Sequence, residues 1–273
     1  MSNSNLASKQ ELASSFGRAA ESYDEAAHLQ KVVGARLLDY LKANWKSSTS
    51  SRLVDLGCGT GFFAEPLVES LGPENLVCLD ISEDMLAYAS QRIGKLNIDV
   101  ASSFLVSDAE RLGMQSSSVE LMFSSLALQW ADDLHRALVE AYRVLKPGGV
   151  IAYSTLLDGT LFELKRAWAS VDSRKHVNDF LTLDFSVEIA RLAGFTVEVS
   201  ICEEVVLKYD KPIQLMRDLK SIGAHNMSQG RSKGLTGKSR IAKVCSVYEQ
   251  YRQADGYVPA TYQAGYFVLK KEV

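Results

Sequence analysis

Three glycines at alternate positions, Gly57, Gly59 and Gly61, follow the apolar run Leu53-Val54-Asp55-Leu56 and precede a helical pattern of Phe63, Leu67, Val68 and Leu71. Strand, tight turn and helix in that order place backbone without side chains beside the unpaired N–H groups of a helix start, so a small ligand belongs there. A second apolar run, Asn75-Leu76-Val77-Cys78-Leu79, ends at Asp80. That acid lies roughly 20 residues past the glycines, where a carboxylate at a strand end can accept both hydroxyls of a ribose. A third run, 103–107, leads into Asp108-Ala109. The spacing Gly-x-Gly-x-Gly puts Phe62 where a dinucleotide fingerprint has its third glycine, which disfavours a nicotinamide or flavin site.

The elements that must hold these residues alternate along the chain. A helical pattern starts at Lys9, is interrupted over 14–24, and resumes over 25–45 with Leu29, Val33, Leu37 and Leu41 at helical spacing. Ser82 is a natural N-cap for the helix after Asp80, which buries Met85, Leu86, Ala89 and Ile93. A fourth strand is expected over 119–125 and a helix over 132–145, stopped by Pro147-Gly148-Gly149 acting as a cap and turn; a fifth strand follows over 150–155. Then come helices over 161–171 and 185–192, a strand over 195–207, a mostly helical insertion over 210–255 and a last strand over 260–270. In that strand Tyr262, Ala264, Tyr266 and Val268 share one face. Strands alternating with helices at this interval make a parallel sheet with right-handed crossovers, which binds ligands above the carboxyl ends of its strands.

With 273 residues, 47% hydrophobic and 23% charged, the chain can bury a sizeable core. No apolar run approaches the ~18 residues of a membrane span, and the start has no basic region followed by an apolar core, so a cytoplasmic protein without membrane association is expected. Cys58, Cys78, Cys202 and Cys245 are scattered and form no Cys-x-x-Cys pair, which predicts reduced, mostly buried thiols and no metal site. A net charge of −3 argues against nucleic acid as a partner. Its distribution is uneven: between Lys208 and Lys243 nine basic residues face two acidic ones, a surface suited to an acidic partner or simply a solvated face.

The ordered set Asp55, Gly57 to Gly61, Asp80 and Asp108-Ala109 resembles the S-adenosylmethionine-dependent methyltransferases of the Rossmann-like class. The resemblance implies a seven-stranded α/β sheet with an antiparallel last strand, N-terminal helices and a helical cap insertion. It implies that Asp55, Gly57, Cys58, Gly59 and Gly61 hold the methionine part of the cofactor and Asp80 its ribose. Asp108 and Ala109 would meet the adenine, with Ile81, Met85 and Leu126 completing the pocket. Four further stretches narrow the likeness: Ser15-Phe16-Gly17-Arg18-Ala19-Ala20 with Tyr23-Asp24, Ser125-Leu126-Ala127-Leu128-Gln129-Trp130, Lys220-Ser221-Ile222-Gly223-Ala224-His225-Asn226, and Pro259-Ala260-Thr261-Tyr262-Gln263. Together with Gly230-Arg231 and Gly234-Leu235-Thr236-Gly237 they resemble the malonyl-acyl-carrier-protein O-methyltransferase family of biotin synthesis over residues 9–270. On this likeness the chain divides into a helical lid (1–47), a cofactor-binding core (48–160) and the rest of the sheet with its substrate cap (161–273, the cap mainly 210–255).

Such an enzyme would methylate the free carboxylate of a malonyl thioester on acyl carrier protein. A carboxyl group has a pKa of about 4 and is already ionised near neutrality, so no catalytic acid or base is expected. Positioning donors are needed instead: Tyr23, Gln129, Trp130, His225 and Arg231. Three have a plainer reading, Tyr23 as helix packing, His225 as a cap and Arg231 as a loop charge. Lys220, Lys233, Lys238 and Arg240 would dock the carrier. Other small-molecule methyltransferases of the same scaffold, and a non-catalytic protein retaining the pocket, are the alternatives.

Overall fold

The computed structural model describes residues 3–45, 51–96, 98–222 and 238–273. His225, Arg231 and Lys233 lie outside them, as does the side chain of Lys238.

Seven strands form one sheet in the order β3-β2-β1-β4-β5-β7-β6. They are β1 (Arg52–Leu56), β2 (Asn75–Asp80), β3 (Ala101–Val106), β4 (Val119–Ser125), β5 (Leu145–Leu156), β6 (Thr196–Tyr209) and β7 (Val258–Lys270). The first five pair in parallel, and β7 runs antiparallel between β5 and β6. Strand order reverses between β1 and β4, the crevice at which such sheets bind ligands.

Helices cover both faces. On one, α2 (His28–Asn44), α3 (Ala64–Leu71), α4 (Glu83–Ile93) and α6 (Phe162–Ala169) bury Leu37, Leu67, Leu86 and Leu164 against the sheet. On the other lie α5 (Leu134–Val144) and α7 (Leu183–Leu192), with Leu138 and Ile189. The alternation of β7 is divided accordingly: Tyr262, Ala264, Tyr266 and Val268 join the first layer, Phe267 and Leu269 the second. Helix α4 begins as its sequence predicts, with Met85 N–H donating to Ser82 Oγ and Met85, Leu86, Ala89 and Ile93 buried. The insertion contributes α8 (Pro212–Ser221) and α9 (Lys238–Tyr248), packed on α1 (Asn3–Ala26) and α6 respectively.

Three expectations are corrected. Helix α1 runs unbroken through 14–24 and the chain breaks only at Ala27. Serine and glycine weaken a helix locally, but tertiary packing overrides propensity here. Phe16 meets Trp130 edge to face at 5.5 Å, Ala19 and Ala20 are buried, and a Cβ on Gly17 would lie 2.4 Å from Asp84 Oδ2, so that glycine allows α1 to lie close on α4. Second, Pro147-Gly148-Gly149 is no helix cap: α5 ends at Val144 and the motif lies inside β5 at a register shift opposite Val119/Leu121. Gly149 is required by close approach, since a Cβ there would stand 2.8 Å from Lys146 O. Third, all four cysteines are free, but only Cys58 and Cys78 are buried; Cys202 is exposed and Cys245 half-buried.

Candidate active site

At the carboxyl end of β1 the chain turns back on β2, with the N–H groups of Gly57 and Cys58 both donating to Leu79 O. Gly57 (φ +74°) and Gly59 (φ +53°) are left-handed, a conformation open to glycine. A Cβ on Gly57 would lie 2.2 Å from Ala127 Cβ, whereas one on Gly59 would meet no protein atom within 4 Å. The backbone of Gly59 therefore borders open space, as a ligand cradle must. Asp80, 9% exposed, spans the gap: its Oδ2 accepts the Gly59 N–H at 2.9 Å and its Oδ1 the Ser82 N–H at 2.8 Å. Burial raises the Asp80 pKa, and these amide bonds oppose the rise. Asp55, fully buried below the loop, is pushed up to about 7 by burial first and by Asp80 second.

The C-terminal turn of α1 is tied to the same loop. Asp24 accepts from Thr60 Oγ1 at 2.7 Å and from Arg92 Nη1 at 2.5 Å. Next to it, Tyr23 has its pKa raised by burial first, then by the charges of Asp80 and Asp24. At the other end of the helix, Lys9 reaches Asp108 and Glu110. Helix α1 is thus fastened at both ends across the strand termini.

Beneath it lies a cleft that, with the solvent space at its mouth, encloses about 910 Å³, lined by Tyr23, Gly59, Asp80, Met85, Asp108 and Trp130 among others. Two chambers adjoin it. One, about 470 Å³, lies at the glycine loop around Asp55 and Thr60. The other, about 730 Å³, is largely apolar and runs under α6 and α8 past Leu164, Tyr209 and Tyr262. The main cavity and this last chamber share Leu126, Gln129 and Trp130 as a common wall. Leu126 sits at φ +50°, the left-handed region that a leucine rarely adopts, and this bend after β4 starts the 3-10 turn Leu128–Trp130. Gln129 is anchored there: its Oε1 accepts the Leu156 N–H at 3.0 Å, which leaves its amide hydrogens as what it offers to a ligand.

Comparison with known proteins agrees with this geometry. Residues 54–153 match the family described as "Methyltransferase domain". A malonyl-[acyl-carrier protein] O-methyltransferase of Hahella chejuensis is 40% identical over 96% of this chain and 91% of its own length. Its Yersinia pestis counterpart is 38% identical over 97% of this chain and 92% of its own length. The chain belongs to the malonyl-[acyl-carrier protein] O-methyltransferase family. It spans about half the length of other relatives: a biotin biosynthesis bifunctional protein of Saccharophagus degradans is 39% identical over 96% of this chain but only 47% of that one. Solved structures share the fold at low identity. YcgJ of Bacillus subtilis superposes with a TM-score of 0.63 at 14% identity over 88% of this chain and 99% of its own.

Against the residues expected of a malonyl-[acyl-carrier protein] O-methyltransferase, the structure brings Gly57, Gly59, Asp80, Ile81, Met85, Asp108, Ala109 and Leu126 to the main cavity, together with Tyr23, Gln129 and Trp130. Asp55 and Cys58 line the glycine-loop chamber instead. Gly61 lines none of these three chambers; a Cβ there would press on Ala89 Cβ at 3.1 Å, so it serves the packing of the loop on α4. Lys220 and Arg240 are exposed on α8 and α9, while Lys208 of the basic stretch is paired with Asp255 at 2.7 Å. The sequence reading missed Gln30, Lys9 and His176. His176 stacks on Trp168 at 3.7 Å and bonds Asp172 at 2.8 Å on the wall of the apolar chamber. None of the three stands in a motif. A helical glutamine and lysine and a loop histidine carry no local signal, and only the fold brings them to the site.

Proposed function

We propose that this protein transfers the methyl group of S-adenosylmethionine to the free carboxylate of a malonyl thioester borne by acyl carrier protein, giving the malonyl methyl ester for biotin synthesis. The observation that carries the reading is the wall of Leu126, Gln129 and Trp130 shared by the cavity over the glycine loop and Asp80 and by an apolar chamber suited to an acyl thioester. The residues present suit the cofactor. Open space over Gly59 admits it, the fixed Asp80 carboxylate accepts ribose hydroxyls, Ile81 and Met85 pack an adenine, and Asp55 suits its ammonium. The cofactor supplies an electrophilic methyl on a positively charged sulfur.

The protein contributes placement. The nucleophile is ionised at neutral pH without a base, so what remains is to hold one carboxylate oxygen at the transferring carbon with water excluded. In the proposal the Gln129 amide donates to that carboxylate, Trp130 and Tyr23 close the cavity around it, and α1 keeps water out. Asp218, which pairs with the Tyr209 hydroxyl, lies in the apolar chamber away from the main cavity, and its charge repels a carboxylate from there toward Gln129. The pantetheine arm then leaves past α8 and α9, where exposed Lys220 and Arg240 suit an acidic carrier.

Mass spectrometry of malonyl-loaded acyl carrier protein after incubation with enzyme and S-adenosylmethionine tests this, with malonyl-coenzyme A and free malonate in parallel. A gain of one methylene mass (~14 Da), removed by saponification and strongest on the carrier-bound acid, is the expected result. No gain on any malonyl species, with cofactor binding intact, would overturn the substrate and leave the methyltransferase reading.

A further inference from the structure

Among the described residues Gln30 alone lines all three chambers. It stands in the first turn of α2, where the cofactor cavity, the glycine-loop chamber and the apolar chamber meet. Its Oε1 is buried and accepts no hydrogen bond among the described residues. A buried acceptor left unpaired is costly, and a group that donates a hydrogen bond or carries positive charge relieves the cost.

The two glutamines of this junction have opposite polarity. Gln129 has spent its carbonyl oxygen on Leu156 N–H and offers donors, whereas Gln30 has a buried carbonyl oxygen with no hydrogen-bond donor to it among the described residues. A carboxylate has only acceptors to give, so it complements Gln129 and is repelled by Gln30 Oε1. A sulfonium, with no lone pair in need of a donor, a positive charge and a polarised methyl, has the complementary character. On the methyltransferase reading, which this step requires, the methyl must be handed over where the cofactor cavity and the acyl chamber meet. That is where Gln30 stands.

We propose that Gln30 reads the charge of the cofactor: its Oε1 is the acceptor for the sulfonium and its methyl, so it favours S-adenosylmethionine over the neutral product and aligns the methyl at the junction. The role differs from that of Asp55 and Asp80, which meet parts common to cofactor and product and cannot tell them apart.

Isothermal titration of S-adenosylmethionine and S-adenosylhomocysteine into wild type, Gln30→Leu and Gln30→Glu is the test, with circular dichroism to confirm that each variant is folded. In Gln30→Leu the affinity for S-adenosylmethionine should fall roughly ten-fold more than that for S-adenosylhomocysteine, the size expected of a lost hydrogen bond to a charged group. Gln30→Glu should keep the preference for the charged cofactor yet raise KM for the carboxylate substrate. Equal losses for both ligands would overturn the inference and make Gln30 a packing residue. An unchanged ratio of the two affinities with a raised KM would also overturn it, assigning Gln30 to the substrate. Wild type binding neither ligand would remove the methyltransferase reading, and this inference with it.

Discussion

Lys9 of α1 donates to Asp108 Oδ2 at 2.6 Å and to Glu110 Oε2 at 2.7 Å, with Asp132 a further 3.8 Å neighbour. One ammonium thus offsets part of the charge of a carboxylate group at the rim of the main cavity and ties α1 to it. Burial depresses the Lys9 pKa, but its bonds to Asp108 and Glu110 outweigh that, so the net shift is upward from 10.5. A lysine so raised contributes stability that is fully present below pH 10.5 and lost as pH climbs through the folded value. Lys9→Met should therefore cost about 1–3 kcal/mol in urea unfolding at neutral pH, because it strands Asp108 and Glu110 as well as losing their bonds. The difference from wild type should shrink at pH above 10.5. A variant as stable as the parent at pH 7 would mean that α1 is held by its apolar contacts alone.

Asp55 gives a pH dependence of the other kind. With its pKa pushed up to about 7 from 3.8, the folded chain keeps a proton that the unfolded chain loses across that window. On this group's account stability is greatest below the window and falls as pH rises through it. A cation entering the glycine-loop chamber favours the ionised form, so cofactor binding should release a proton near pH 6, and affinity should rise between about pH 5 and 7. Calorimetry in buffers of different ionisation enthalpy reads the proton directly. Asp55→Asn should abolish the release; a release that persists belongs to another group.

Gln129 separates binding of the acid from binding of the cofactor. Gln129→Glu turns amide donors into a carboxylate facing the substrate's own, and KM for the acyl substrate should rise about ten-fold or more while the cofactor Kd changes little. Gln129→Leu has a further effect, since it leaves the Leu156 N–H unpaired and should lower stability by about 1–3 kcal/mol. Equal changes in both constants would place Gln129 at the cofactor.

How far the sequence carries depends on whether a relationship is local. The Ser82 cap lies three residues from its Met85 partner, and Gly59 and Asp80 close their own strands, so periodicity and turn chemistry reveal them. The face of β7 shared by Tyr262, Ala264, Tyr266 and Val268 is likewise a matter of alternation. By contrast Lys9 and Asp108 are 99 positions apart, and Thr60 and Asp24 36 apart. Gln30 lies in a helix whose own pattern says only that part of it is buried. The continuity of α1 was hidden for the same reason: Gly17 reads as a breaker until Asp84 is seen beside it. Pro147-Gly148-Gly149 reads as a stop until the neighbouring β4 backbone shows the space in which it must bulge.

Gly34 offers a test of that packing logic. It is buried in α2, and a Cβ there would lie 2.1 Å from Phe63 Cζ. Alanine for glycine inside a helix ordinarily gains about 1 kcal/mol. Here the Phe63 ring, half-buried beside the glycine-loop chamber, is set against Phe123 at 5.5 Å and Phe62 at 5.1 Å between centroids, so the added methyl must displace the ring from those contacts. Overpacking costs about 1–3 kcal/mol, and a 2.1 Å approach forces the ring to move, so the cost exceeds the gain in propensity. Gly34→Ala should lower stability in the wild-type background and raise or preserve it in Phe63→Leu, where the ring is gone and helix propensity is what remains. A double-mutant cycle from urea unfolding measures the coupling, which should exceed about 1 kcal/mol; additive effects would show that the methyl and the ring never compete for the same space.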